Sequence, residues 1–94
     1  MTDEEIVNYA EIFKALGHAT RLSIVIGLVN NSECNVNKMV TNLNLSQSNI
    51  SQHLALLRRT GIVKCEKRGQ EVCYKVENEK IREIIKCLQK NTTK

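Results

Sequence analysis

Apolar residues recur at helical spacing from the start of the chain. Ile6, Tyr9, Ala10, Phe13 and Leu16 fall on one side of a helix predicted from about Asp3 to Leu16, with Gly17 as its stop. Val7 and Ile12 add an apolar strip on the other side. A terminal helix that is apolar on two sides either packs on its own domain and on a second subunit, or is deeply buried; the pattern leaves both open. A second helix, about Ala19 to Asn30, has hardly any polar face, since Leu22, Ile24, Val25, Ile26, Leu28 and Val29 crowd it, and it reads as a core helix. The polar run Asn30, Asn31, Ser32 and Glu33 breaks the pattern. A short third helix follows, its buried stripe formed by Val36, Met39, Val40 and Leu43. Asn42 to Ser46 make a tight turn in which Leu45 plugs the space between helices. Ser46 is placed to cap a fourth helix over residues 47–60, and Gly61 closes it.

After Gly61 the period changes from helical to alternating. Ile62 to Arg68 and Glu71 to Val76 read as two strands around Gly69 and Gln70. A two-residue turn pairs residues whose numbers sum to 139. It places Val63, Cys65, Val72, Tyr74 and Val76 on one apolar face, and Lys64, Glu66, Cys73 and Lys75 on the other. A last helix, about Asn78 to Lys90, carries the stripe Ile81, Ile84, Ile85 and Leu88. No repeat, low-complexity linker or proline marks a boundary, so residues 1–94 are expected to form one domain, mainly α with a small β-hairpin.

At 94 residues and 41% hydrophobic content, the chain can build a real core but not a large enzyme cavity, and a second subunit is a natural source of extra stability. The charge is uneven. Asp3, Glu4, Glu5 and Glu11 are unopposed in the first twelve residues, so the remainder carries fourteen bases against six acids, a net +8, and should attract a polyanion. No apolar run is as long as a membrane span, and the acidic N-terminus is unlike a signal peptide, so a cytoplasmic protein without a membrane partner is expected. There Cys34, Cys65, Cys73 and Cys87 are reduced by default, and their spacing contains neither CxxC nor a zinc-finger pairing.

On a helical wheel, Ile50, Leu54 and Leu57, flanked by His53, take the inner side of the fourth helix. Ser48, Ser51, Gln52, Ala55 and Arg59 take the outer side, with Gln47 at its start. Small hydroxyls and an amide reach base edges in a major groove, alanine avoids clashes or meets a thymine methyl, and arginine reads a base or holds a phosphate. A surface helix is polar in any case, so the order of elements matters more. A short helix, a tight turn, a capped helix and a hairpin carrying Lys64, Lys67 and Arg68 near its tip make a helix-turn-helix with a wing that follows the phosphate backbone. The competing reading is a winged-helix protein-interaction module without inducer sensing, in which the basic wing is only a solvated edge. No Ser-His-Asp order, phosphate loop or paired carboxylates support an enzyme.

The segments ALGHATRL (Ala15 to Leu22), LNLSQSNISQHLALLRRTGIV (Leu43 to Val63) and KRGQEVCYKV in the wing resemble the ArsR/SmtB family of repressors over about Ile6 to Leu88. The resemblance implies a winged helix-turn-helix of four helices, a hairpin and a fifth helix. It also implies a homodimer built on the first and last helices, and operator DNA released when an inducer binds. It further implies metal ligands that this chain lacks. Asn35 and Asn37 stand where the third-helix motif of the family has cysteines, and Cys34 lies one place earlier. Asn78, Lys80, Asn91 and Lys94 occupy the ligand positions of the last helix, and a lysine ammonium has no lone pair to offer. No cofactor is therefore assigned. The inducer stays open among a metal, a metalloid, a thiol-reactive species or none. The thiol candidates are Cys34, read at the start of the third helix where amide dipoles favour a thiolate, and Cys87, beside the last helix's stripe and able to approach its twin in a dimer. Both histidines, His18 and His53, lack a local second ligand and read as structural.

Overall fold

Thr2 starts the first helix with a capping box: its hydroxyl accepts from the Glu5 N–H at 3.1 Å, and the Glu5 carboxylate accepts from the Thr2 N–H at 2.8 Å. These bonds from Thr2 hold the Glu5 carboxyl below its ordinary range. In a computed structural model, which describes residues 1–31 and 34–90, the order of elements is α1 (Asp3–Leu16), α2 (Ala19–Asn31), β1 (Cys34–Asn35), α3 (Val36–Leu43), α4 (Gln47–Arg59), β2 (Lys64–Arg68), β3 (Glu71–Lys75) and α5 (Glu79–Gln89).

The core is where the helical stripes meet. Ile24, Val25, Leu28 and Val29 of α2 pack with Ile50, Leu54 and Leu57 of α4, with Ile81 and Ile85 of α5, and with Ile62, Val63 and Val76 around the hairpin base. Only Ala15 and Leu16 of α1 are buried. The turn between α3 and α4 bends through Asn44, whose φ of +57° lies in the left-handed region that asparagine tolerates. α4 ends in a double lock: the Gly61 N–H donates to the Arg58 carbonyl and the Ile62 N–H to the Leu57 carbonyl, with Gly61 at φ +82°.

The hairpin has the register predicted from the alternation, Lys64 opposite Lys75 through Arg68 opposite Glu71, turning at Gly69 and Gln70. The sheet, however, has three strands in the order β1-β3-β2. Cys34 pairs with Tyr74 and Asn35 with Cys73, so residue 34 lies in a strand and α3 begins only at Val36. The reading of Cys34 as a helix-start residue is corrected accordingly; the edge of β3 has backbone groups to satisfy, and this segment satisfies them. β3 thereby becomes the central strand. Its Cys73, between Asn35 and Glu66, is buried although the alternation puts it on the polar face, whereas Cys65, on the apolar face, is half-exposed.

Candidate DNA-binding surface

Helix α4 separates its two sides completely. Ile50, Leu54 and Leu57 are at most 1% exposed, while Gln47, Ser48, Ser51, Gln52, Ala55 and Arg59 are all exposed. The apolar positions repeat at 50, 54 and 57 and anchor the helix in the core, which leaves the polar ones no choice but to face out. Ser46 caps the helix, its hydroxyl accepting from the Asn49 N–H at 3.0 Å, so the outward ridge begins on a fixed first turn.

Each end of the ridge borders an open cleft. At the start, Gln47 shares a cavity of about 210 Å³ with Val36 and Asn37 of α3 and with Gln70, Glu71 and Val72 of the wing, so the wing tip stands beside the helix entry. At the far end, Arg59 lines a cleft of about 670 Å³ together with Glu5, Asn8 and Glu11 of α1 and with Asn78. Arg59 carries no ion pair among the described residues. The acids of α1 thus share a cleft with Arg59, the one base of the ridge.

The wing is less basic than its composition implies. Arg68 donates to Glu66 at 3.1 Å, and Lys75 lies 3.5 Å from Glu66 and 3.1 Å from Glu77. Lys64, expected near the tip, sits at the hairpin base opposite Lys75 and pairs with Glu77 at 3.3 Å. The hydrogen bond from Arg68 holds the Glu66 carboxyl below its ordinary range, and bonds from Lys75 and Lys64 do the same for Glu77. Lys67 makes no ion pair among the described residues and is the wing's open cation. Burial, and then the neighbouring Cys65, raise the Tyr74 hydroxyl above its ordinary range.

A second surface is apolar. Ile6, Val7 and Phe13 of α1 are 51%, 60% and 56% exposed, and Leu88 of α5 is 55% exposed. Ile6, Tyr9, Ala10 and Phe13 line an apolar groove of about 550 Å³ with Met1 and Lys80. Of the family's last-helix ligand positions, Asn78 caps α5 by accepting from the Lys80 and Ile81 N–H groups, and the Lys80 ammonium donates to the Tyr9 hydroxyl at 2.8 Å; Asn91 and Lys94 lie outside the described residues. Of the thiol candidates, Cys87 is exposed in a groove with Asn30, Glu83, Lys86, Gln89 and Lys90, and the side chain of Cys34 lies outside the described part. The two histidines, treated separately on sequence, come together, with ring centroids 4.7 Å apart. They lie thirty-five positions apart in the chain, so no local spacing could signal the pair.

The family model for bacterial regulatory proteins of the arsR family matches residues 18–64, from the start of α2 to the hairpin base. An uncharacterized HTH-type transcriptional regulator of Methanocaldococcus jannaschii is 41% identical over 83 residues, covering 88% of this chain and 93% of its own length. Among solved structures, HlyU from Vibrio cholerae N16961 superposes with a TM-score of 0.89 at 33% identity, covering 97% of this chain and 98% of its own. The transcriptional repressor PagR of Bacillus anthracis superposes with a TM-score of 0.87 at 34% identity, covering 93% and 99%. Among the described residues no helix is long and apolar enough to cross a membrane, and no group of three or more His, Cys, Asp and Glu side chains could hold a metal.

Proposed function

Since the chain belongs to the arsR family of bacterial regulatory proteins, and is a DNA-binding transcriptional regulator rather than an enzyme, we propose that it works as a cytoplasmic homodimeric repressor that reads its operator with α4. The observation that supports this reading is the exposed ridge of Ser48, Ser51, Gln52, Ala55 and Arg59 on a helix whose other side is fully buried. Ser48, Ser51 and Gln52 reach base edges in the major groove, and Ala55 gives clearance or meets a thymine methyl. Arg59 reads a guanine or holds a phosphate, Gln47 meets the backbone at the helix start, and Lys67 and Arg68 follow the adjacent phosphates.

The apolar face of α1 and α5 is the proposed subunit interface. Its two-fold symmetry presents two copies of α4 to half-sites about one helical turn apart. Release by an inducer runs through thiol chemistry at Cys34 and Cys87 in this proposal, because the nitrogen and oxygen ligand positions of the last helix hold residues unsuited to a metal. The test is fluorescence anisotropy on operator and scrambled duplexes across a salt series. Steep salt dependence with a clear preference for operator is expected; shallow dependence points to a protein partner. Repeating the operator titration with a panel of metals and oxidants on each Cys→Ser variant decides the inducer reading. If no variant alters the response, the cysteines are packing residues.

A further inference from the structure

The flank of α4 remote from Arg58 meets the beginning of α2 and the end of α1 at one small polar cluster. Arg21 of α2 is half-buried there, and its Nε donates to the Ala15 carbonyl at 2.7 Å, in the last turn of α1. Its Nη1 lies 3.5 Å from Nδ1 of His53 on α4. His18, just ahead of α2, tilts its ring against that of His53, and its Nδ1 accepts from the Thr20 N–H at 3.2 Å. One guanidinium therefore connects all three helices.

The chemistry of the partner bears on the tautomer of His53. A guanidinium has no lone pair, so its contact with Nδ1 of His53 is a hydrogen bond when that nitrogen is bare and the ring's proton sits on Nε2. A second proton on His53 removes that acceptor. The surroundings act in the same direction. Burial, then His18, then Arg21 lower the proton affinity of His53, and among the described residues no carboxylate acts to restore it.

We propose that Arg21 and His53 form a proton-sensitive clamp that fixes the setting of α4 on α1 and α2. The two are positioning residues for the reading helix, and the inference rests on α4 being that helix. Protonation of His53 turns Nδ1 into a donor facing a cation and opens the clamp. The sign follows from the lowered proton affinity. The neutral contact is complete above the ordinary imidazole range of about 6.5 and is lost as pH falls through the depressed titration point of His53. Base-edge contacts depend on helix placement, whereas phosphate contacts gain from added positive charge, so acid should separate the two.

The test measures operator and scrambled-duplex affinity from about pH 8 to about pH 5.5 at constant ionic strength, for the full chain, His53→Gln and His18→Gln, alongside an NMR titration of both imidazoles. For the unaltered chain, operator affinity is expected to fall about five- to tenfold at the acid end, while scrambled affinity holds or rises. His53→Gln keeps an acceptor for Arg21 but binds no proton, and its acid loss should vanish. An equal acid loss in His53→Gln, or His53 titrating at or above the ordinary imidazole value, overturns the clamp. If thermal melting shows that His53→Gln does not fold, His18→Gln at its exposed position decides: a raised His53 midpoint with the acid loss setting in at correspondingly higher pH supports the clamp, and no change in either overturns it. Failure to distinguish operator from scrambled DNA at every pH removes the reading role of α4. The clamp itself then stands if the His53 midpoint is low and rises in Arg21→Gln, and falls otherwise.

Discussion

Two surfaces of the chain, one on α4 and one on α1, are open to solvent and differ in character. On α4 the exposed side is polar and the hidden side is finished, with Ile50, Leu54 and Leu57 essentially inaccessible. On α1, fourteen residues long, only Ala15 and Leu16 are buried, and Ile6, Val7 and Phe13 stand out from the surface. Ile6 and Phe13 line one apolar groove with Tyr9 and Ala10, and exposed apolar surface of that kind is the mark of an interaction site, while a polar ridge needs no cover to be stable. The contrast teaches that α4 hides its apolar side within the chain, whereas α1 leaves much of its apolar side exposed.

The strongest way to break this comparison is to charge the apolar side. Phe13→Asp should weaken self-association roughly a thousandfold, because a symmetric interface counts each loss of about 2 kcal/mol twice. Sedimentation at several concentrations checks it, and an unshifted monomer–dimer equilibrium would assign α1 another cover. Truncating the polar ridge should act on DNA instead. Arg59→Ala is expected to cost about 1–3 kcal/mol on operator with little change on scrambled duplex, and Gln52→Ala a smaller loss of the same kind. Equal losses on both duplexes would reject α4 as the reader. Ser46→Ala, which removes only the cap, should lower unfolding stability by about 1 kcal/mol in denaturant melts without altering dimer affinity. Lys67→Ala should have the smallest effect, weakening both duplexes alike and reducing the salt slope by about one.

The elements of the fold were legible wherever a single periodicity ran uninterrupted. The stripe 50, 54, 57 and the cap at Ser46 placed α4, and the alternation around Gly69 set the hairpin register. Neither local signal extends to β1. Two residues are too short to show alternation, and Cys34 and Asn35 pair with a strand almost forty positions later. Cys73 was assigned to the outer face for the same reason: its burial comes from having neighbours on both sides, which no feature of β3 itself announces. The ridge on α4 was readable from the wheel, whereas the Arg21, His18 and His53 cluster was not, because it joins three separate helices. Charge was misjudged in the wing, since composition counts lysines and arginines without counting the glutamates that fold back onto them.

The short pairing of Cys34 and Asn35 with β3 also decides how the wing can move. A hairpin hung only from its own two ends is a free lever, able to swing without disturbing the body. Here the inner strand is stitched to the segment that joins α2 to α3, so only β2 has a loose margin. A displacement of the hairpin is therefore carried to the joint where α3 begins, and a rearrangement at that joint is carried back to the hairpin.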